Sequence, residues 1–157
     1  MLVVWDSLSA TPVRTFLNPH VNGVKTMDLS ADCKYIVTLG NEEEVGKMQT
    51  ISLWDWLNET EEGPIVSLAF KYEALSNHWV KFNPENPFEI ACNGERRMSF
   101  LSWEHGKTKF DHYSPRCEKG DFSHKIRWEA KYTKTVFIPG GNKAVTGTER
   151  GDILVWD

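Results

Sequence analysis

Short apolar segments with alternating polar positions recur along the whole chain, separated by turn residues. Residues 24–29 alternate between apolar and polar side chains, residues 30–33 are turn formers, and residues 35–39 make a second apolar run. Period-two alternation over four to eight residues is typical of β-strands, and the 3.6-residue period of helices is weak throughout. The pattern therefore predicts an all-β fold.

The same order of strands and turns repeats further along the chain. Asn93-Gly94 is a dipeptide that favours a tight turn with positive φ, so we predict a turn there. The other predicted strands cover residues 50–54, 65–70, 78–82, 89–92, 98–103, 109–113, 132–138, 144–148 and 152–156.

Two segments are apolar without alternation, at residues 2–5 and 153–156. A strand covered on one side only should alternate, whereas a continuous apolar run indicates that both faces are buried. We therefore predict that these strands lie in sheets packed between two neighbouring sheets.

An aromatic–acidic dipeptide recurs with a nearly constant period. Its tryptophans are 49, 49 and 53 residues apart, and each copy follows a β-rich segment. Self-similarity at this period indicates stacked supersecondary units rather than one mixed core. The copies are Trp5-Asp6, Trp54-Asp55, Trp103-Glu104 and Trp156-Asp157.

These dipeptides and the histidines that precede them resemble the repeats of the WD-repeat family. In that family a histidine opens each repeat and Trp-Asp ends its third strand; His20, His78 and His124 hold the corresponding positions. The resemblance implies four-stranded antiparallel blades of a β-propeller. It also implies a buried His–Ser/Thr–Asp–Trp hydrogen-bond network, which we expect to be incomplete. Gly-His is absent, Glu104 replaces the aspartate of the Trp-Asp pair in the second unit, and the family's turn aspartate between the second and third strands has no clear match except Asp152, which is shifted.

By the strand order of the family, the chain divides into parts of four blades. Residues 1–18 would end one blade, 19–70 and 71–115 would form two whole blades, 116–131 would be an inserted connection, and 132–157 would start a further blade. About three periods cannot close a ring that needs four to eight blades. We expect a fragment of a longer protein, a chain that pairs with another propeller segment, or a homodimer that closes one ring.

Composition narrows the functional class. The 157 residues carry a formal net charge of -4, which argues against a general nucleic-acid binder, and no apolar run is long enough to span a membrane. Cys33, Cys92 and Cys117 are odd in number and far apart, so we expect free thiols in a reducing, cytoplasmic compartment.

The sequence offers no catalytic or cofactor motif. There is neither a Gly-x-Ser-x-Gly elbow nor a His-Glu-x-x-His pair. Gly106-Lys107-Thr108 lacks the earlier glycine of a phosphate loop, and His105 and His112 do not have metal-ligand spacing. We therefore predict a non-enzymatic protein without a cofactor or a metal ion.

A narrower resemblance points to cilia- and flagella-associated WD-repeat proteins. It is carried by residues 2–6, 78–84, 131–139 and 144–148. Within that group the resemblance implies membership of the calmodulin- and spoke-associated complex near the radial spoke base, and hence a structural scaffold of the ciliary axoneme. Its partners would be spoke, dynein-regulatory or microtubule-associated subunits. The alternative is a soluble cytoplasmic adaptor that recruits a peptide or an enzyme.

Two features are candidates for partner contact. Residues 116–131 combine basic and aromatic side chains, a mixture that interface hot spots use. The alternative is that its apolar residues pack under the blade. The candidate contact residues of segment 116–131 are Arg116, Lys119, Phe122, Lys125, Arg127, Trp128 and Lys131.

The second candidate consists of two acidic segments, at residues 42–44 and 59–62. They would be either solvated loops or one acidic rim that docks a basic helix.

Overall fold

The computed structural model describes residues 1–44, 47–60, 62–71, 76–115 and 130–157. Among these residues, thirteen strands form four antiparallel sheets. The strands are β1 (Leu2–Asp6), β2 (Thr11–Phe16), β3 (Val24–Leu29), β4 (Tyr35–Gly40), β5 (Met48–Asp55), β6 (Val66–Lys71), β7 (Asn77–Asn83), β8 (Asn86–Gly94), β9 (Met98–Ser102), β10 (Asp111–Tyr113), β11 (Tyr132–Phe137), β12 (Ala144–Thr148) and β13 (Ile153–Trp156).

Each sheet is a simple meander in which consecutive strands pair. β1–β2 form the first blade, β3–β6 the second, β7–β10 the third and β11–β13 the fourth. The first strand of the third blade, β7, contacts β3 on one side and β11 on the other. The first strands of successive blades thus lie side by side, as they do around the axis of a propeller. The predicted all-β, partial propeller is confirmed.

The core consists of apolar layers between adjacent blades. The largest layer joins the second and third blades, where Val37 and Leu39 meet Val80 and Ile90. Smaller layers join the first blade to the second and the third to the fourth. Because burying each such side chain contributes roughly 1.5–3 kcal/mol, these layers hold the blades in register.

Burial of both strand faces, predicted for the segments that form β1 and β13, is wrong there and occurs instead in β5. From Ile51 to Trp54 every side chain of β5 is buried. By contrast, Trp5 is 58% exposed and Ile153 is 71% exposed. Alternate residues of β1 and β13 pack against the inner neighbour, and the other face of each end blade has no neighbouring sheet among the described residues.

The predicted turn at Asn93-Gly94 is wrong. Both residues belong to β8, Asn93 pairs with Met98, and Gly94 does not adopt positive φ. A β-carbon on Gly94 would lie 2.3 Å from the backbone oxygen of Ser76. Glycine is therefore used here for close approach between two backbones rather than for a turn.

Candidate functional site

A buried hydrogen-bond network ties the loop before β3 to the two central strands of the second blade. The Nε2 atom of His20 is 2.8 Å from the Thr38 hydroxyl, and the indole nitrogen of Trp54 donates to the same hydroxyl at 2.8 Å. A β-carbon on Gly40 would lie 2.7 Å from the His20 ring, so the ring fits only over glycine. Burial lowers the pKa of His20, with the hydrogen bond to Thr38 opposing the shift.

The fourth blade contains a related network with a different third member. The indole nitrogen of Trp156 donates to the Thr146 hydroxyl at 2.7 Å, and that hydroxyl is also 2.7 Å from the Thr135 hydroxyl. Thr135, on β11, thus contacts Thr146 in the way that His20 contacts Thr38 in the second blade. His124, the histidine predicted for this blade, lies outside the described residues.

The third blade departs from this arrangement. Trp54 pairs opposite Ile36, two residues before Thr38, whereas the Trp103 amide donates to the carbonyl of Phe88, two residues before Ile90. Ile90 has no hydroxyl, and the Trp103 indole donates instead to the backbone oxygen of Pro87 at 2.9 Å.

The sequence predicted that His78 is the histidine that opens the network of this blade, but the contacts of His78 lie elsewhere. It lies on β7, and its Nε2 atom is 3.2 Å from the backbone oxygen of Thr133 in the fourth blade. The preceding residue, Asn77, pairs with Gly94 at the start of the strand. His78 therefore contributes to the contact between two blades, and within its own blade its Nε2 atom lies 3.5 Å from the side-chain amide nitrogen of Asn93.

Two of the four acidic residues of the repeated dipeptide, Asp6 and Asp55, stabilise turns through hydrogen bonds to backbone amides. The Oδ1 atom of Asp55 accepts hydrogen bonds from the amides of Leu57 at 3.1 Å and Asn58 at 3.2 Å. Asp6 does the same for the amides of Leu8 and Ser9 in the first blade. Aspartate thus stabilises the turn that follows the third strand of a blade.

The two other acidic positions make ion pairs instead. Glu104 lies 3.1 Å from the amine of Lys107. Asp157 lies 2.6 Å from the amine of Lys143, on the loop before β12. Both pairs are solvent-exposed, so each contributes little stability, about 0–1 kcal/mol.

Polar side chains join the second and third blades through hydrogen bonds to backbone atoms. The Gln49 amide group donates to the carbonyls of Gly40 at 3.0 Å and Asn77 at 2.9 Å, and its oxygen accepts from the Asn77 amide at 2.8 Å. Asp28 accepts from the Phe82 amide at 2.8 Å and pairs with Lys81 at 2.8 Å. These contacts extend the hydrogen bonding of each sheet across the gap between blades.

Most of the predicted partner-contact segment lies outside the described residues, including Arg116, Lys119, Phe122, Lys125, Arg127 and Trp128. Lys131 is described, and its amine pairs with Glu95 at 3.3 Å between the third and fourth blades. About 44% of the Lys131 side chain is exposed. Partner contact by residues 116–131 stays a prediction.

The two acidic loops do not form one rim. Residues 42–44 precede β5, whereas residues 59 and 62 follow it, so the loops lie at opposite ends of an eight-residue strand. A strand of that length separates its ends by about 25 Å. Glu42 is in addition paired with Lys25; although burial opposes ionisation, the hydrogen bonds from Lys25 and Ser76 lower the Glu42 pKa to about 2.

The described residues line clefts where neighbouring blades meet. One cleft, of about 450 Å³, lies between the third and fourth blades and has an apolar wall that includes Phe100, Phe137 and Trp156. A second, about 360 Å³, lies between the second and third blades beside Tyr35 and Trp103. Clefts of this size suit side chains of a bound segment or a small ligand.

Among the described residues, no group of three or more histidine, cysteine, aspartate or glutamate side chains is arranged to hold a metal ion. Within the same ranges, no helix has the length and apolar character needed to cross a membrane.

Two solved structures have folds similar to that of this chain. The β-propeller domain of Cps50 (Swd1) from Myceliophteria thermophila matches with a TM-score of 0.72 and 15% identity, covering 99% of this chain and 44% of that one. A chain of the complex of KlAtg21 with the coiled-coil of AgAtg16 matches with a TM-score of 0.67 and 18% identity, covering 98% and 42%. At these identities the likeness establishes the fold alone.

Two sequence relatives carry the same description, cilia- and flagella-associated protein 251. The relative from Chlamydomonas reinhardtii is 35% identical over 100% of this chain, and that from Tetrahymena thermophila is 37% identical over 100%. The chain spans 20% and 15% of their lengths. The model of the CFAP251 N-terminal domain matches residues 1–157, and the chain therefore belongs to the CFAP251 N-terminal domain family.

Proposed function

We propose that this chain is a non-catalytic scaffold segment of a structural protein of cilia and flagella. The observation that carries the proposal is the match of all 157 residues to a domain whose named relatives are cilia- and flagella-associated proteins. Because the chain spans a fifth or less of those relatives, it would be one binding module within a longer assembly protein.

The inter-blade contacts support a scaffold role. Gln49 is fully buried and joins two blades through two hydrogen bonds to the backbone of Asn77, and the apolar layers pack every described sheet against a neighbour. An array held in this way keeps its loops at fixed separations, and loops on a rigid framework are where binding residues concentrate. Such a module can bind two partners at a constant distance.

The finer placement is also part of the proposal. We place the protein in the axoneme near the base of a radial spoke, in contact with spoke, dynein-regulatory or microtubule-associated subunits, with a calmodulin-containing complex among the candidates. The support is the resemblance of residues 78–84 and 131–139 to ciliary WD-repeat proteins.

Fractionation of isolated cilia tests this placement. The full-length protein would be tagged in a ciliated cell, and its cilia extracted with detergent and then with high salt. A structural axonemal component should stay in the detergent pellet with the doublets, whereas a soluble adaptor should leave with the matrix. Release by detergent alone, or absence from cilia, would overturn the axonemal proposal.

The contact surface can be tested in the same cells. We expect Arg127→Glu with Lys131→Glu to reduce retention if residues 116–131 bind a partner. Since Lys131 also pairs with Glu95, the Glu95→Gln variant is the matched control, because it removes that ion pair without altering the segment. Equal retention of the charge-reversal and control proteins would contradict a contact through this segment.

A further inference from the structure

We draw no further inference here: the strongest candidate, the apolar cleft between the third and fourth blades beside β13, carries none, because nothing in the part of the chain that the structure describes shows what covers it.

Discussion

Removal of one buried hydroxyl should loosen the second blade. Thr38→Val keeps the shape of the side chain, but it leaves the indole N–H of Trp54 and the ring nitrogen of His20 without their shared partner. Trp54 is 4% exposed and His20 is 9% exposed, so water cannot replace the hydroxyl without rearrangement. An unsatisfied buried polar group costs about 1–3 kcal/mol, and two such groups should together cost about 2–4 kcal/mol.

Hydrogen exchange measured by mass spectrometry on the full-length protein can detect this change locally. A loss of about 2–4 kcal/mol corresponds to a roughly 30- to 900-fold fall in amide protection across β4 and β5, if exchange occurs by opening of the blade. Thr15→Val is the matched control, because Thr15 is exposed on β2 and the same substitution there should change stability by less than about 0.5 kcal/mol.

A double-mutant cycle separates the hydrogen bond from general packing. In the Trp54→Phe background the indole donor is already gone, so Thr38→Val should cost about 1–2 kcal/mol less than in the wild-type chain. If Thr38→Val lowers protection no more than Thr15→Val, or if the two changes at Thr38 and Trp54 are additive, the network does not stabilise the blade as argued.

Gln49, His20 and Gly94 should also affect the stability of the second and third blades. Gln49→Leu should cost about 3 kcal/mol and speed exchange of the Asn77 amide, because two backbone hydrogen bonds between blades and one to Gly40 within the second blade are lost. Burial holds the pKa of His20 below its ordinary 6.5, so the unfolded segment binds a proton more readily than the folded one. Amide protection of β4 should therefore be complete above about pH 6.5 and should decline on acidification below that pH. In His20→Gln this protection should depend less on pH. Gly94→Ala should destabilise the third blade by several kcal/mol, as its β-carbon would meet backbone at 2.3 Å, whereas Gly63→Ala, with open space, should be near neutral in a thermal shift.

The sequence predicted the strands well because the alternation of apolar and polar side chains is a local property of each strand, and the tryptophan period marks where each unit repeats. Strands β3 and β12 have the predicted bounds, and most others differ by one to three residues. The errors occur where a neighbouring blade decides the outcome. Local propensity predicts a turn at Asn93-Gly94, but both residues belong to β8, where the backbone oxygen of Ser76 approaches Gly94 closely.

The cleft beside Tyr35 and Trp103 could not have been found from the sequence. Tyr35 and Trp103 are 68 positions apart, and nothing in the linear pattern brings Asp55 to the same place. Their proximity depends on how the second and third blades pack, which is set by the apolar layer between them. The acidic loops illustrate the reverse error, since charges that are close in sequence lie at opposite ends of β5.

The persistence of tryptophan in the repeats, with so much variation around it, has a physical explanation. Each repeat tryptophan of the second, third and fourth blades packs against the preceding blade, and its indole nitrogen needs only one acceptor. A threonine hydroxyl serves in two blades, and the Pro87 carbonyl serves in the third, where Ile90 replaces the threonine. Replacing a hydroxyl and its partners together is nearly neutral, whereas removing one alone is costly. The histidine and threonine positions can therefore change as a unit, while loss of the tryptophan would open a cavity between blades.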